Sequence, residues 1–327
     1  MKRATSADVA RLSGVSRATV SYVLNDVPGH RIPDATRERI LAAAAELDYV
    51  PSASAAALKR GRTNLVLLDT SGFDGSHKMT VFLSSFAATV RDGGFTLLTH
   101  STTTSPLSVS EMASMVSPFA VASLVPFTDG DIENLRRLGI QQFDGADLQP
   151  DAELKSLMLT QGASMQVDVL AQAGHRALCF AQPSSTHVDV VTAARHREVR
   201  ARAAALGIAV IGELAADGEL PALARQVRAV HEGGATAVVA ANDETAIAVL
   251  AGARVAGLTV PRDLAVIGFD DIPLARFAFP ALTTVRLDSA LIARVLATDL
   301  LIAAGCDLAR VTTTDDDLIE IVHRDSV

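Results

Sequence analysis

Ser16, Arg17, Ala18, Thr19, Ser21, Tyr22 and Asn25 fall within one short segment, SRATVSYVLN, in which Val20, Val23 and Leu24 recur at helical spacing. Those three apolar residues define the buried side of a helix over 17–25, and Arg17, Ala18, Ser21, Tyr22 and Asn25 fall on its exposed face. Ser16 stands where it can cap that helix. A helix N-terminus bearing an arginine, hydroxyls and small side chains suits the DNA major groove, where arginine grips guanine and hydroxyls bind phosphate. Any three-helix domain shows similar stripes, and Tyr22 also fits a partly packed surface aromatic.

Catalytic chemistry finds no comparable constellation. The chain contains no GxGxxG, P-loop GK[ST], HExxH or GxSxG. His175 and His231 lack partners at metal-ligand spacing, and Asp315-Asp316-Asp317 fits a solvated turn better than a metal site. Cys179 and Cys306 are the only cysteines, too few for a disulfide framework or a multi-cysteine zinc site. No cofactor or metal is implied, and the chain is not expected to be an enzyme.

The elements that must position the first segment are legible around it. Thr5-Ser6-Ala7-Asp8 has the capping-box pattern and predicts a helix from Ser6, with Val9, Ala10 and Leu12 on its apolar side. Ser13-Gly14-Val15 breaks it, so two short helices flank a tight turn, the helix-turn-helix pattern. A third helix follows Pro33-Asp34, with Ile40, Leu41, Ala44 and Leu47 as its core stripe. Beyond 63, short apolar runs alternate with amphipathic stretches. Strands are predicted at 65–68, 95–98, 122–125, 177–180, 237–240 and 264–268, and helices at 80–91, 163–173, 193–206 and 244–256. Such alternation implies parallel sheets with helices on both faces, and so many units suit two sheets with a ligand cleft between them.

The chain has 327 residues, 49% hydrophobic and 20% charged, which fits two or three globular units. No window approaches the ~18 consecutive apolar residues of a membrane span. The first residues carry Asp8 and Arg11 where a signal peptide would need an apolar stretch, so a reduced, cytoplasmic location is expected. The net charge of −8 divides unevenly: residues 1–62 hold ten basic and six acidic residues, +4, leaving −12 on the remainder. A basic head on an acidic body points to a polyanion as the partner of the head alone.

The stretch Asp8-Val9-Ala10, continuing through Gly14-Val15-Ser16-Arg17-Ala18-Thr19-Val20-Ser21-Tyr22-Val23-Leu24-Asn25, closely resembles the DNA-binding head of the lactose-repressor (LacI/GalR) family. So do Thr36-Arg37-Glu38-Arg39-Ile40 and Leu47-Asp48-Tyr49-Val50-Pro51-Ser52. In the body, Ala173-Gly174-His175-Arg176, Ala240-Ala241-Asn242-Asp243-Glu244-Thr245-Ala246 and the long run 257–273 through Gly268-Phe269-Asp270-Asp271 match family segments. Pro280–Val285 and the tail His323-Arg324-Asp325-Ser326 match as well. The loop 27–33 is slightly longer than the family's usual link.

The resemblance implies a small all-α helix-turn-helix head and an α/β, periplasmic-binding-protein-like body of two parallel-sheet lobes. It implies DNA-binding residues 1–50, a hinge over 51–62 and an effector-binding and dimerisation region over 63–327. Arg17, Ala18 and Tyr22 would read bases. Thr19, Ser21 and Asn25 would approach phosphates, and Thr5 and Ser16 join the DNA-binding set at the two helix starts. In the hinge, Leu58 would wedge into the minor groove, followed by Lys59. The alanine-rich run 52–58 favours helix but is shorter than the ~12–15 residues that stand alone, so pairing with a dimer mate on DNA must hold it.

Arg195, Asn242 and Asp270 carry over as effector contacts, although Asn242 and Asp270 also fit backbone caps and Arg195 a solvated helix. Where relatives carry an Asn-Pro-Phe-Phe-like run, this chain has Ser76-His77-Lys78-Met79. Where they show an Asp-Asn pair, it has Met158-Leu159. With no Trp, and with Tyr22 and Tyr49 both in the head, stacking on a sugar must come from phenylalanines such as Phe73 or Phe127. The expected protein is a homodimeric repressor on a pseudo-palindromic operator, controlled by a small polar effector, with a sugar one option and no effector at all another. No leucine heptad follows the tail motif to build a larger coiled-coil assembly. The alternatives are a solute-binding module or sugar-handling enzyme of the same fold, or a regulator answering to a protein partner.

Overall fold

The computed structural model describes residues 4–24, 31–49, 61–71, 77–102, 104–124, 126–143, 160–183, 190–216 and 218–327. The chain divides into two compact units, Met1–Asn64 and Leu65–Val327.

In the first unit, α1 (Ser6–Ser13), α2 (Arg17–Leu24) and α3 (Asp34–Glu46) enclose a core centred on Val9, Val20, Val23 and Ile40. The Thr5 amide and hydroxyl both donate to the Asp8 carboxylate, at 3.0 and 2.7 Å, which fixes the start of α1. Gly14 ends it at φ +66°, a left-handed conformation that a Cβ would strain. Two expected core residues lie elsewhere: Leu12 is 46% and Leu41 49% exposed. Each falls about 100° around its helix from the buried set, Val9, Ala10 and Ser13 in α1 and Ile40, Ala43 and Ala44 in α3.

The second unit contains two sheets. The first holds β1 (Leu65–Asp69), β2 (Thr96–His100), β3 (Ala120–Ser123) and β4 (Gln141–Phe143), all parallel, in the order β2-β1-β3-β4. The second holds β5 (Ala177–Gln182), β6 (Ala209–Ala215), β7 (Ala237–Ala240), β8 (Ala265–Phe269), β9 (Thr283–Leu287) and β10 (Ile319–Val322), in the order β10-β9-β8-β7-β5-β6. Only β10 breaks the parallel pattern, pairing antiparallel with β9.

Alternation along the strands sorts side chains between helical layers. Val66, Leu68, Ala120 and Ala122 face α4 (His77–Asp92) and α11 (Ser289–Ala303), whereas Leu67 and Val121 face α5 (Val109–Val116) and α6 (Asp129–Arg137). In the second sheet, Leu178, Phe180, Val239 and Ile267 face α7 (Gly162–Gln172) and α8 (Val190–Ala205). Cys179, Ala181, Val238 and Val266 face α9 (Leu220–Glu232) and α10 (Asp243–Val255). Phe269, Val285 and Leu287 extend from the second sheet into the core of the first, so one apolar cluster ties the two lobes. A four-residue helix, α12 (Asp315–Leu318), precedes β10.

The expected strand at 237–240 forms as Ala237–Ala240, and the one at 122–125 lies two residues earlier, as Ala120–Ser123. Strands β4, β6, β9 and β10 are additions that the apolar runs did not mark. Among the described residues no helix is long and apolar enough to cross a membrane, and no cluster of three His, Cys, Asp or Glu could hold a metal. In the Asp315–Asp317 run, Asp317 instead accepts the Thr314 amide and hydroxyl at 3.0 and 2.7 Å.

Candidate functional site

On the head, Ser16 Oγ accepts the Thr19 amide at 3.1 Å and lies 2.9 Å from the Thr19 hydroxyl, so Ser16 caps α2. That cap fixes where the helix begins, and Arg17 and Ala18 follow it as exposed first-turn residues. Ser21 and Tyr22 are half-buried, one turn on, and Val20 and Val23 anchor the opposite side in the core. The helix thus presents at its N-terminus a guanidinium and small side chains, with the half-buried Ser21 and Tyr22 one turn on. Thr5 is exposed at the start of α1, bonded to Asp8. Asn25, Leu58 and Lys59 lie outside the described residues.

In the body, the carried-over effector residues gather at the carboxyl ends of the second sheet's strands, where α/β sheets bind ligands. Arg195, on α8, is buried: its guanidinium lies 3.5 Å from the Phe269 ring centroid, donates to the Ala241 carbonyl at 2.8 Å and stands 3.8 Å from the Asp270 carboxylate. Asp270 follows β8 at φ +115°, and Asp271 continues at φ +50°, two consecutive non-glycine residues on the left-handed side. Asn242 is half-buried, and its carbonyl oxygen accepts the Thr245 amide at 2.8 Å, capping α10. Asn242 therefore performs the capping role, and its remaining amide group is the part available to a ligand.

Several residues that motif reasoning passed over complete this site. Gln166, on α7, is buried and donates to the carbonyls of Ala240 at 3.0 Å and Gly268 at 2.8 Å. The β7–β8 ladder runs only to the pair Val239–Ile267, so the Gln166 amide bridges the strands just past it. Asp243 is wholly buried and accepts the Thr284 hydroxyl at 2.6 Å and the Ile272 amide at 2.8 Å. Burial pushes the Asp243 carboxyl up to about 7, against the pull of the Thr284 and Ile272 bonds, with the Asp270 and Asp271 charges adding to the rise. Asp271 is held below its ordinary value: burial works against that, but Arg324 at 2.5 Å and Arg286 at 2.8 Å outweigh it. Gln166 belongs to no recognisable motif, and Asp243 is masked in the sequence by its neighbour Asn242.

The first sheet contributes differently. Phe127 is half-buried and packs on the Leu67–Val121–Leu135 core, while Phe73 lies outside the described residues. At the ends of β1 and β2 a buried pair joins Asp69 to His100 Nδ1 at 3.1 Å, and His100 Nε2 meets the Leu107 carbonyl at 2.9 Å. Ser71 donates its hydroxyl to Asp69 at 2.7 Å and accepts the Thr102 amide at 2.9 Å, tying the two loops beyond the strands. His77 and Lys78 open α4, with Lys78 donating to the Leu287 carbonyl at 3.1 Å. Cys179 and Cys306 form no disulfide, and burial raises Cys179 to about 12, which makes it an inert core residue.

A helix-turn-helix unit followed by a two-lobed, mainly parallel α/β unit defines a class, the DNA-binding transcriptional regulators with a periplasmic-binding-protein-like body. Sequence comparison agrees at both ends: residues 5–52 match the family described as bacterial regulatory proteins, lacI family, and residues 167–327 match the periplasmic binding protein-like domain. The ribose operon repressor of Escherichia coli (strain K12) is 30% identical over 299 residues, covering 86% of this chain and 88% of that one. The regulator DegA of Bacillus subtilis (strain 168) is 28% identical over 301 residues, covering 86% of each. A crystal structure of the lac repressor dimer bound to operator and the anti-inducer ONPF shares the fold, with a TM-score of 0.74 at 22% identity and 99% coverage of each chain. The chain belongs to the LacI family of transcriptional regulators.

Proposed function

We propose that this regulator is a homodimeric repressor that binds a pseudo-palindromic operator through residues 1–50 and a small polar effector through the carboxyl-end site of its body. The observation that carries the DNA reading is the exposed start of α2, with Arg17 and Ala18 in its first turn and its buried side locked into the core. The effector reading is supported by Arg195, which lies on the Phe269 ring, stands beside Asp270 and bonds the Ala241 carbonyl next to Asn242 in the chain. Relatives support both: one is named a ribose operon repressor, and a structural neighbour is a dimer bound to operator and a small-molecule anti-inducer. Residues 51–62 would serve as the hinge, with Leu58 as the minor-groove wedge and Lys59 beside it, and residues 63–327 as the effector-binding and dimerisation region. An effector favouring one arrangement of the lobes would shift the population between DNA-competent and DNA-incompetent states. The regulator would act in the cytoplasm and catalyse no reaction.

The test is base readout by Arg17. A bidentate arginine–guanine contact is worth ~1–3 kcal/mol of discrimination, so Arg17→Ala should relax preference at one symmetric base pair of the operator. Equal weakening on every sequence, including non-specific DNA, would make Arg17 a phosphate contact and remove the assigned role.

A further inference from the structure

Asp243 occupies a pocket that the chain is shaped to admit. A Cβ at Gly268 would lie 2.1 Å from its Oδ1, so only glycine leaves room for the carboxyl against β8. Its two acceptor bonds reach different segments: Thr284 lies on β9 and Ile272 at the exit of the Asp270–Asp271 turn. Each residue of that turn is tethered. The Asp270 amide donates to the Val285 carbonyl at 2.7 Å, Asp271 is clasped by Arg286 and Arg324, and Ile272 is held by Asp243. Consecutive positive φ angles on non-glycine residues persist only where the surroundings over-determine them.

We propose that Asp243 is the positioning residue of the effector site: it holds the turn that presents Asp270, and its proton adjusts the charge behind that carboxylate. The proposal rests on the reading of Asp270 as an effector contact. Burial, two hydrogen bonds and two neighbouring carboxylates place Asp243 where protonated and ionised forms exchange near neutrality. The groups facing it are Asp270 and Asp271 from the turn. Arg286 from β9 and Arg324 from the C-terminal segment neutralise Asp271, and Arg195 from α8 stands beside Asp270. Thr284 serves both forms. Its hydroxyl donates to ionised Asp243, and a protonated Asp243 donates back while the hydroxyl turns to the Val285 carbonyl, 3.4 Å away. The Ile272 tether is kept throughout, so the proton changes charge without releasing the turn. A ligand that draws charge from Asp270 therefore releases a proton from Asp243, and by reciprocity Asp243 ionisation alters the affinity of the site.

The experiment uses the full chain without ligand, with carboxyl-labelled aspartate followed by NMR and amide exchange by protection factor. Asp243 should titrate near neutrality in the wild type and at lower pH in Asp270→Asn, since one like charge is gone. Asp243→Asn, which mimics the protonated form, should keep the Asp270 and Ile272 amides protected. Asp243→Ala should lower their protection about tenfold or more and leave Val238 unchanged. If the alanine variant does not fold, Thr284→Val serves instead: losing one donor should move the Asp243 titration to higher pH. An Asp243 titration indifferent to both Asp270→Asn and Thr284→Val would overturn the coupling. Undiminished protection in Asp243→Ala would overturn the positioning role. These readouts need no effector, so their failure leaves the effector reading standing, and a failure to bind any effector leaves them intact.

Discussion

Asp243 shows how much one buried carboxyl controls at the residue scale. Its folded value of about 7 lies above the ordinary 3.8. The folded chain therefore binds that proton more tightly than the unfolded chain does. The stabilisation is fully present below about pH 4 and is lost as pH rises through about 7. Urea unfolding of the wild type and Asp243→Asn at pH 5 and pH 8 should show the wild type losing stability relative to the variant on the alkaline side. A gap that stays constant would mean that Asp243 titrates alike in both states. The residue types at this site were partly legible: the Asn-Asp and Asp-Asp pairs were conspicuous, and Arg195 was singled out. What the sequence could not show is which member of each pair turns inward. Asn242 spends its oxygen on a cap, while Asp243, its neighbour, is wholly buried.

Among the elements of the head, α2 has its start set by the Ser16 cap. Ser16→Ala removes the acceptor for the Thr19 amide, and lost caps cost roughly 1 kcal/mol. The head should melt at lower temperature, with faster amide exchange at Thr19, while exchange in the body is unchanged; an unaltered Thr19 rate would show that the cap contributes nothing. The Thr5–Asp8 capping box, Ser16 and Gly14 made the first two helices of the head readable nearly to the residue, because those signals are local. Strand β7 was equally clear, being four consecutive apolar residues buried on both faces. Strands β6 and β10 were not. Each lies at an edge of its sheet, and their sequences, AVIGELA and IEIV, are mixed because part of each strand faces solvent. β9 was missed for another reason: Thr283 and Thr284 are buried to bond Ser326, Arg324 and Asp243, so two of its buried positions are polar and its apolar pair, Val285 and Leu287, is split by Arg286.

For the whole molecule, the body exposes an apolar face that a monomer has no use for. Phe279 is 87% and Phe277 75% exposed, and Phe279 lines a groove with Leu220, Ile247, Leu250 and Val255. A second copy is the occupant the proposed function supplies, so Phe279→Asp should convert a dimer to a monomer in light scattering. A wild-type monomer at micromolar concentration, or a variant that stays dimeric, would place the interface elsewhere. The two lobes share one core through Phe269, Val285 and Leu287, and Phe269 also carries Arg195 on its ring. The proposed effector site and the core that joins the lobes therefore share the Phe269 side chain.

As the proposed homodimeric repressor, this chain would recognise a specific DNA sequence through a symmetric pair of heads. Selection of bound duplexes from a random pool by the full-length chain, at near-physiological salt, tests it most directly. The selection should recover one pseudo-palindromic sequence, bound far more tightly than the unselected pool. Recovery of no common sequence, or of a single asymmetric half-site bound by a monomer, would contradict it.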